Sequence, residues 1–390
     1  MTELLSTPLA PDARLAAFAA TDTVEGAVPG ANTVGYVSLN VPVELIEAAG
    51  CVPRRLTPRR HATLPHADRF LDACFDGAAR ALFEQFLRGD YAAYDLVVMP
   101  RTSENGLQLY YFLLEAQRLE PQLAIPPLHL FDLLQTPYRS TARYVRDQVE
   151  RLKSRLEALS GRAIEADAVA RAIRDANAHL ARFDALTALR HAQPARMSGA
   201  AALQIVDALG KMPRAQHVAA LDALLAERNA LPAHDGPRLV VKGSAHDSDA
   251  FYRVVEACGA VIVGDEHLGG QLAVGGEFDS GLAPLDAIAH RYQLRSPSLR
   301  RYPQAGDDAR FIEAIQAAHA HGVIFWYEAN DDVLGWDYPD QKAALDALGV
   351  PSLRLLEQPY GEVPNAEVRA QVAAFIDALR PGAQPVGAVR

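Results

Sequence analysis

From Thr33 the chain settles into a repeating hydrophobic pattern. TVGYVSL is β-rich, and PVELIEAAG follows with Pro42 at a helix start and Gly50 at its end. Residues from about Ala67 to Leu87 carry apolar side chains at helical spacing up to Gly89, and DLVVMP then reads as a short apolar strand. A helix opens near Ser103, where LQLYYFLLEAQRL is apolar over much of its surface, and PPLHLFDL supplies another strand. Such alternation predicts a parallel sheet flanked by helices.

Between Thr141 and Leu231 the strand signal disappears. YVRDQVERLKSRLEALSG and ADAVARAIRDANAHLARFDAL keep helical periodicity, with a turn at Gly161 and later breaks at Gly210 and Pro213. Alternation resumes with RLVVKGSAHDSDAFYRVVEACGAVIVGDEHLGG and continues through GVIFWYEANDD, DYPDQKAALDALG, PSLRLLEQ and NAEVRAQVAAFIDAL. The expected fold class is therefore α/β, with two doubly wound parallel-sheet domains at 32–138 and 237–390. A helical insert at 139–236 separates them, and 1–31 forms a partly helical lead-in. An old duplication would account for the likeness of the two halves.

Composition narrows the function. The 390 residues suit two ordinary domains, and 49% hydrophobic with 22% charged residues is a globular composition. A net charge of -10 argues against nucleic acid as the main partner. No apolar run of membrane-spanning length and no basic leader region appears, so a soluble cytoplasmic protein is expected. Cys51, Cys74 and Cys258 lie far apart, without metal-ligand or disulfide spacing. Cys51 and Cys258 sit in apolar surroundings and read as small core residues.

Ligands of open parallel sheets bind beyond the carboxyl ends of the strands. That rule selects Ser38 and Asn40, Arg101 to Asn105, Gly243 to His246, Asp265 to Gly270 and Glu328 to Asp332. GSAHDSD can present Ser244 to an anion, the simpler reading being a helix cap by Ser244 or Asp247. Asp265, Glu266 and His267 can act as acid or base, the simpler reading being a solvated loop. Arg54, Arg55, Arg59, Arg60 and His61 can face the phosphates of a large cofactor or form an exposed basic loop. Trp326 and Tyr327 suit an acyl pocket or core packing. No phosphate loop, HExxH, GxSxG or GxGxxG is present, so no ATP site is expected in this chain.

GYVSLNVPVELIEAAGCVPRRL, VVMPRTSEN, RLVVKGSAHD, VIVGDEHLGG, GVIFWYEANDD and ALGVPSLRLLEQPYG, taken together, resemble the 2-hydroxyacyl-CoA dehydratase and benzoyl-CoA reductase subunit family over Asn32 to Leu379. The resemblance implies two α/β domains about a central cleft, a homologous partner subunit and an acyl-CoA substrate. It further implies a separate ATP-hydrolysing iron-sulfur activator, which passes one low-potential electron to a [4Fe-4S] cluster in the cleft. For such a substrate, the strand-end, basic-run and aromatic readings above make Ser38, Arg54, Arg55, Ser244, Asp265, Glu266, His267 and Trp326 the candidate contacts.

The family presents three cysteines to the cluster, and their places here fall on Cys74, Ser103 and Asp331. Two of the three are oxygen donors, whereas thiolates are the preferred ligands of such clusters. The expected reading is a subunit that supports a homologous, cluster-bearing partner. A cluster held by Cys74 with Ser103, Asp331 or water is the alternative, and a plain acyl-CoA-binding or scaffold role is another. The three positions are expected to converge, and without a cluster Arg101, Glu104 and Trp326 are the expected fillers. The Arg- and Ala-rich, Lys-poor composition leans the chemistry toward the reductase branch.

Overall fold

The computed structural model describes residues 15–19, 27–61, 63–101, 103–296 and 302–380. Most of the expected lead-in at 1–31 thus lies outside the described residues, apart from α1 (Ala16–Ala19) and the approach to the first strand. The first α/β unit runs through β1 (Thr33–Val37), α2 (Val43–Ala48), β2 (Val52–Leu56), α3 (Ala67–Phe70), α4 (Gly77–Leu87), β3 (Leu96–Pro100), α5 (Glu104–Leu119) and β4 (Leu128–Phe131). The helical stretch supplies α6 (Arg139–Ser160), α7 (Ala166–His191), α8 (Gly199–Asp207) and α9 (Arg214–Ala226).

The second unit holds β5 (Arg238–Gly243), α10 (Ala250–Ala257), β6 (Val261–Glu266), α11 (Pro284–His290), α12 (Gln304–Ala317) and β7 (Gly322–Glu328). It ends with α13 (Asp332–Gly335), α14 (Tyr338–Ala347), β8 (Ser352–Gln358) and α15 (Ala366–Ala378). No helix among the described residues is long and apolar enough to cross a membrane.

Both sheets are four-stranded and fully parallel, in the orders β2-β1-β3-β4 and β6-β5-β7-β8, which are the same order counted within each unit. In each, the chain leaves the inner pair toward opposite edges, so a crevice opens between β1 and β3 and between β5 and β7. Period-two alternation sorts the cores. Leu239 and Val241 face one layer with α10 and α15, while Val240 faces another with α12 and α14.

The single helix expected over 67–87 is two helices. The Glu84 carboxylate accepts from the His66 and Ala67 amides at the start of α3, and the Asp76 carboxylate accepts from the Ala79 amide at the start of α4. Two satisfied helix starts outweigh one continuous helix. Cys74 falls in the break and is exposed.

Candidate active-site cleft

The two crevices meet at one place. Asp76 caps α4 through Oδ1 (2.6 Å to Ala79 N) and accepts from Asn105 Nδ2 through Oδ2 (2.6 Å). Ser103 caps α5, its hydroxyl accepting from the Gly106 amide at 3.0 Å. Asp76 and Asn105 thereby tie the Cys74 segment to the helix that Ser103 opens.

The second unit answers from the ends of β5, β7 and β8. The Ser244 hydroxyl donates to Asp331 Oδ2 at 2.5 Å and accepts from the Glu328 amide at 3.0 Å. Asn330, at φ +67°, donates from Nδ2 to the Ala73 carbonyl at 3.1 Å, one residue from Cys74. Tyr360 follows β8 and lies directly over Gly77, where an added Cβ would come within 2.3 Å of the Tyr360 Cβ. Its hydroxyl donates to Asp247. At the rim, Arg60 reaches the Gly361 carbonyl and Glu362.

The cleft is acidic. Burial, then the charges of Asp247, Asp76 and Asp331, push Glu328 up to about 8. Burial also raises Asp247 and Tyr360, each with help from neighbouring carboxylates. Glu328 therefore carries its proton at neutral pH. It can hold or hand over that proton, and its neighbours disfavour another anion beside it.

One consequence is measurable in stability. Because folding raises the Glu328 pKa, its contribution is fully present below about 4.5 and is lost as pH rises through about 8. In urea denaturation, Glu328→Gln should gain stability relative to the unmodified chain as pH climbs from 5 to 8.5. A gap that stays constant across that range would contradict the assignment.

The residues singled out from sequence divide. Cys74, Ser103, Ser244 and Asp331 belong to segments that face the cleft or cap the helices beside it. Ser38 sits at φ +69° just past β1, its hydroxyl accepting from the Asn40 amide at 3.4 Å. Arg55 is bound to Asp207 at 2.8 Å, Arg59 to Asp90 and Arg60 to Glu362, while Arg54 is buried. An exposed basic loop therefore describes only part of this run.

Asp265, Glu266 and His267 do not form a solvated loop, because α7 and α10 cover Asp265 and His267 and α12 covers Glu266. Asp265 is paired with Arg190, and its Oδ1 also accepts from the Tyr252 hydroxyl at 2.8 Å. His267 Nδ1 accepts a hydrogen bond from the Gly269 amide, so its Nε2–H donates to the Tyr252 oxygen at 2.6 Å. Glu266 pairs with Arg310 at 2.9 Å.

Trp326 packs against Phe251 in the core rather than in an acyl pocket, because its strand position faces α10 and α15. The expected fillers are corrected likewise. Arg101 turns to Asp132, Glu104 is exposed, and Tyr360 with Asn330 closes the cleft instead. Asp76 and Tyr360 escaped the sequence reading, and Asp247 entered it only as a candidate helix cap. Applying the strand-end rule to QPYG after β8 would have found Tyr360.

The donors at the three ligand places do not fit an iron-sulfur cluster. Cys74 is the single thiol there, the Ser103 oxygen is engaged as a helix cap, and the Asp331 carboxylate is engaged by Ser244. Among the described residues, no three His, Cys, Asp or Glu side chains are grouped to hold a metal ion. The carboxylates further disfavour the anionic thiolate-ligated group.

Two parallel sheets of like topology, with an acid-lined cleft among the segments that follow their strands, define a two-domain α/β protein with a candidate site in that cleft. The family model "2-hydroxyglutaryl-CoA dehydratase, D-component" matches residues 38–379, and the chain belongs to that family. It is 20% identical over 355 residues to the (R)-phenyllactyl-CoA dehydratase beta subunit of Clostridium sporogenes, covering 90% of this chain and 92% of that one. It is 21% identical over 364 residues to the (R)-2-hydroxyglutaryl-CoA dehydratase subunit beta of Acidaminococcus fermentans, covering 90% and 93% respectively.

Proposed function

We propose that this chain is the accessory subunit of a 2-hydroxyacyl-CoA dehydratase complex, contributing fold and interface to a homologous subunit that carries the [4Fe-4S] cluster. The complex removes water from an acyl-CoA and receives its electron from an ATP-hydrolysing iron-sulfur activator, in the cytoplasm. The observation that carries this reading is the cleft itself, where Tyr360 lies on Gly77 and a single cysteine stands among carboxylates. Both relatives are dehydratase subunits, which puts dehydration ahead of the reductase chemistry expected from composition.

The test is anaerobic co-expression with the homologous subunit, followed by iron and sulfide analysis of each chain. Iron should reside on the partner, and Cys74→Ala should leave the iron content of the complex and its acyl-CoA turnover within about twofold, since no ligand is removed. Iron on this chain that disappears with Cys74→Ala would overturn the proposal. Full turnover by this chain alone would overturn it as well.

A further inference from the structure

A second site lies away from the cleft. A cavity of about 920 Å³ opens between α2, α7 and the start of α9, and none of the cleft residues named above borders it. That volume is within the range of small-molecule sites, ~300–1,000 Å³. Its wall is apolar along Leu39, Val43, Leu180 and Phe183. Its charged lining includes Glu44, Glu47 and Asp175 as well as arginines, so which arginines are already held decides what it can bind.

Arg162 and Arg171 border the cavity and are exposed, so they stand at its solvent side. Arg162 is positioned by its Nη2 bond to the Ala49 carbonyl at 3.0 Å, and it lies so close to Gly50 that an added Cβ would come within 2.0 Å of Nη2. Pro213, Arg214 and Ala215 bring the first turn of α9 to the same cavity. That helix start has no side-chain cap and no acidic residue in its first turn, and since the Gln216 amide already turns to the Pro213 carbonyl at 3.0 Å, the Arg214 and Ala215 amides are the ones it offers to an oxyanion.

The buried side is polar without being free to take an anion. Arg214 is already held by Glu47, at 2.9 Å from both Nε and Nη2, and by Glu44 at 3.4 Å. Tyr36 also borders the cavity and is 2% exposed. No hydrogen bond of its hydroxyl is formed among the described residues, so the phenol is open to a polar group of a bound ligand. A ligand that satisfies every part has an oxyanion at the arginine side, an apolar body, and a neutral polar group at the buried end.

We propose that this cavity binds a small organic phosphate of mononucleotide size, with Arg162, Arg171 and the start of α9 on the phosphate and the Tyr36 hydroxyl on the far end of its body. Phosphate fits this set better than carboxylate because two arginines and a helix start together offer more donors than a carboxylate can accept. An aromatic base suits the apolar wall, which a sugar phosphate leaves uncovered.

Calorimetric titration of the full chain with AMP tests this, with inorganic phosphate and adenosine as separate probes. AMP should bind at one site per chain, and each of the other two should bind at least about tenfold more weakly. Arg171→Met should weaken AMP about tenfold, as should Arg162→Met, and Tyr36→Phe by about fivefold. Arg171 is exposed, so its variant keeps the test open if Arg162→Met unsettles the α6–α7 turn. No AMP binding would overturn the proposal, as would phosphate binding as tight as AMP or AMP affinity unchanged in all three variants. The outcome is independent of acyl-CoA turnover, so the two proposals can fail separately.

Discussion

Arg190→Ala is expected to cost about 3–5 kcal/mol of unfolding free energy, the range for removing one partner of a buried ion pair. Arg190 and Asp265 are both fully buried, joined at 2.5 and 2.9 Å, and Arg190 also donates to the Ile262 carbonyl at 3.2 Å. Burial alone would raise Asp265, but Arg190 and the Tyr252 hydroxyl bring it down to about 2. Without the guanidinium a carboxylate remains inside, answered only by neutral donors. Guanidinium denaturation measures the loss, and Arg190→Met with Asp265→Leu should restore most of it, because two apolar side chains leave no stranded charge. A loss below about 1 kcal/mol would show that solvent reaches Asp265.

Gly243→Ala should destabilise by about 2–5 kcal/mol, combining backbone strain with overpacking. Gly243 ends β5 at φ +123°, and a Cβ there would stand 2.0 Å from the Trp326 carbonyl oxygen of β7. That oxygen also accepts from the Ser244 amide at 2.8 Å, so the strands cannot separate without moving Ser244 and its bond to Asp331. Gly349 is the control. It sits at φ +70° with nothing within 4 Å of an added Cβ, so Gly349→Ala should cost only about 1 kcal/mol. Equal thermal shifts in the two variants would mean that the close approach at Gly243 carries no energy of its own.

The strand-end rule reached Ser244 and the Glu328–Asp332 segment from sequence, because every parallel strand delivers its following residue to the same edge of the sheet. It did not reach Asp76, which follows no strand and enters the cleft as the cap of α4. It also misjudged the surroundings of Asp265 and His267. Their partners Arg190 and Tyr252 lie 75 and 15 positions away, and nothing local to GDEHLGG announces them. Trp326 has the opposite history, for its alternation with Phe325 already implied a core face on one side of the sheet or the other.

The sequence alone determined the two sheets, their parallel sense and the helical stretch between them, because strand and helix periods follow from backbone geometry within a few residues. Tertiary structure decided which surfaces share a core. Phe278, Ala287 to Ala289 and Tyr292 follow β6 in the chain, yet they pack with Val34 and Tyr36 of the first unit and with α6 of the helical stretch. The Tyr292 hydroxyl donates to the Val41 carbonyl, 251 positions away. The proton on Glu328 is of the same kind, since it depends on Asp76, 252 positions earlier, and on burial that appears only when the two crevices close on each other. Periodicity is a local property of the chain, whereas docking, burial and charge proximity depend on distances that exist only after the chain has folded.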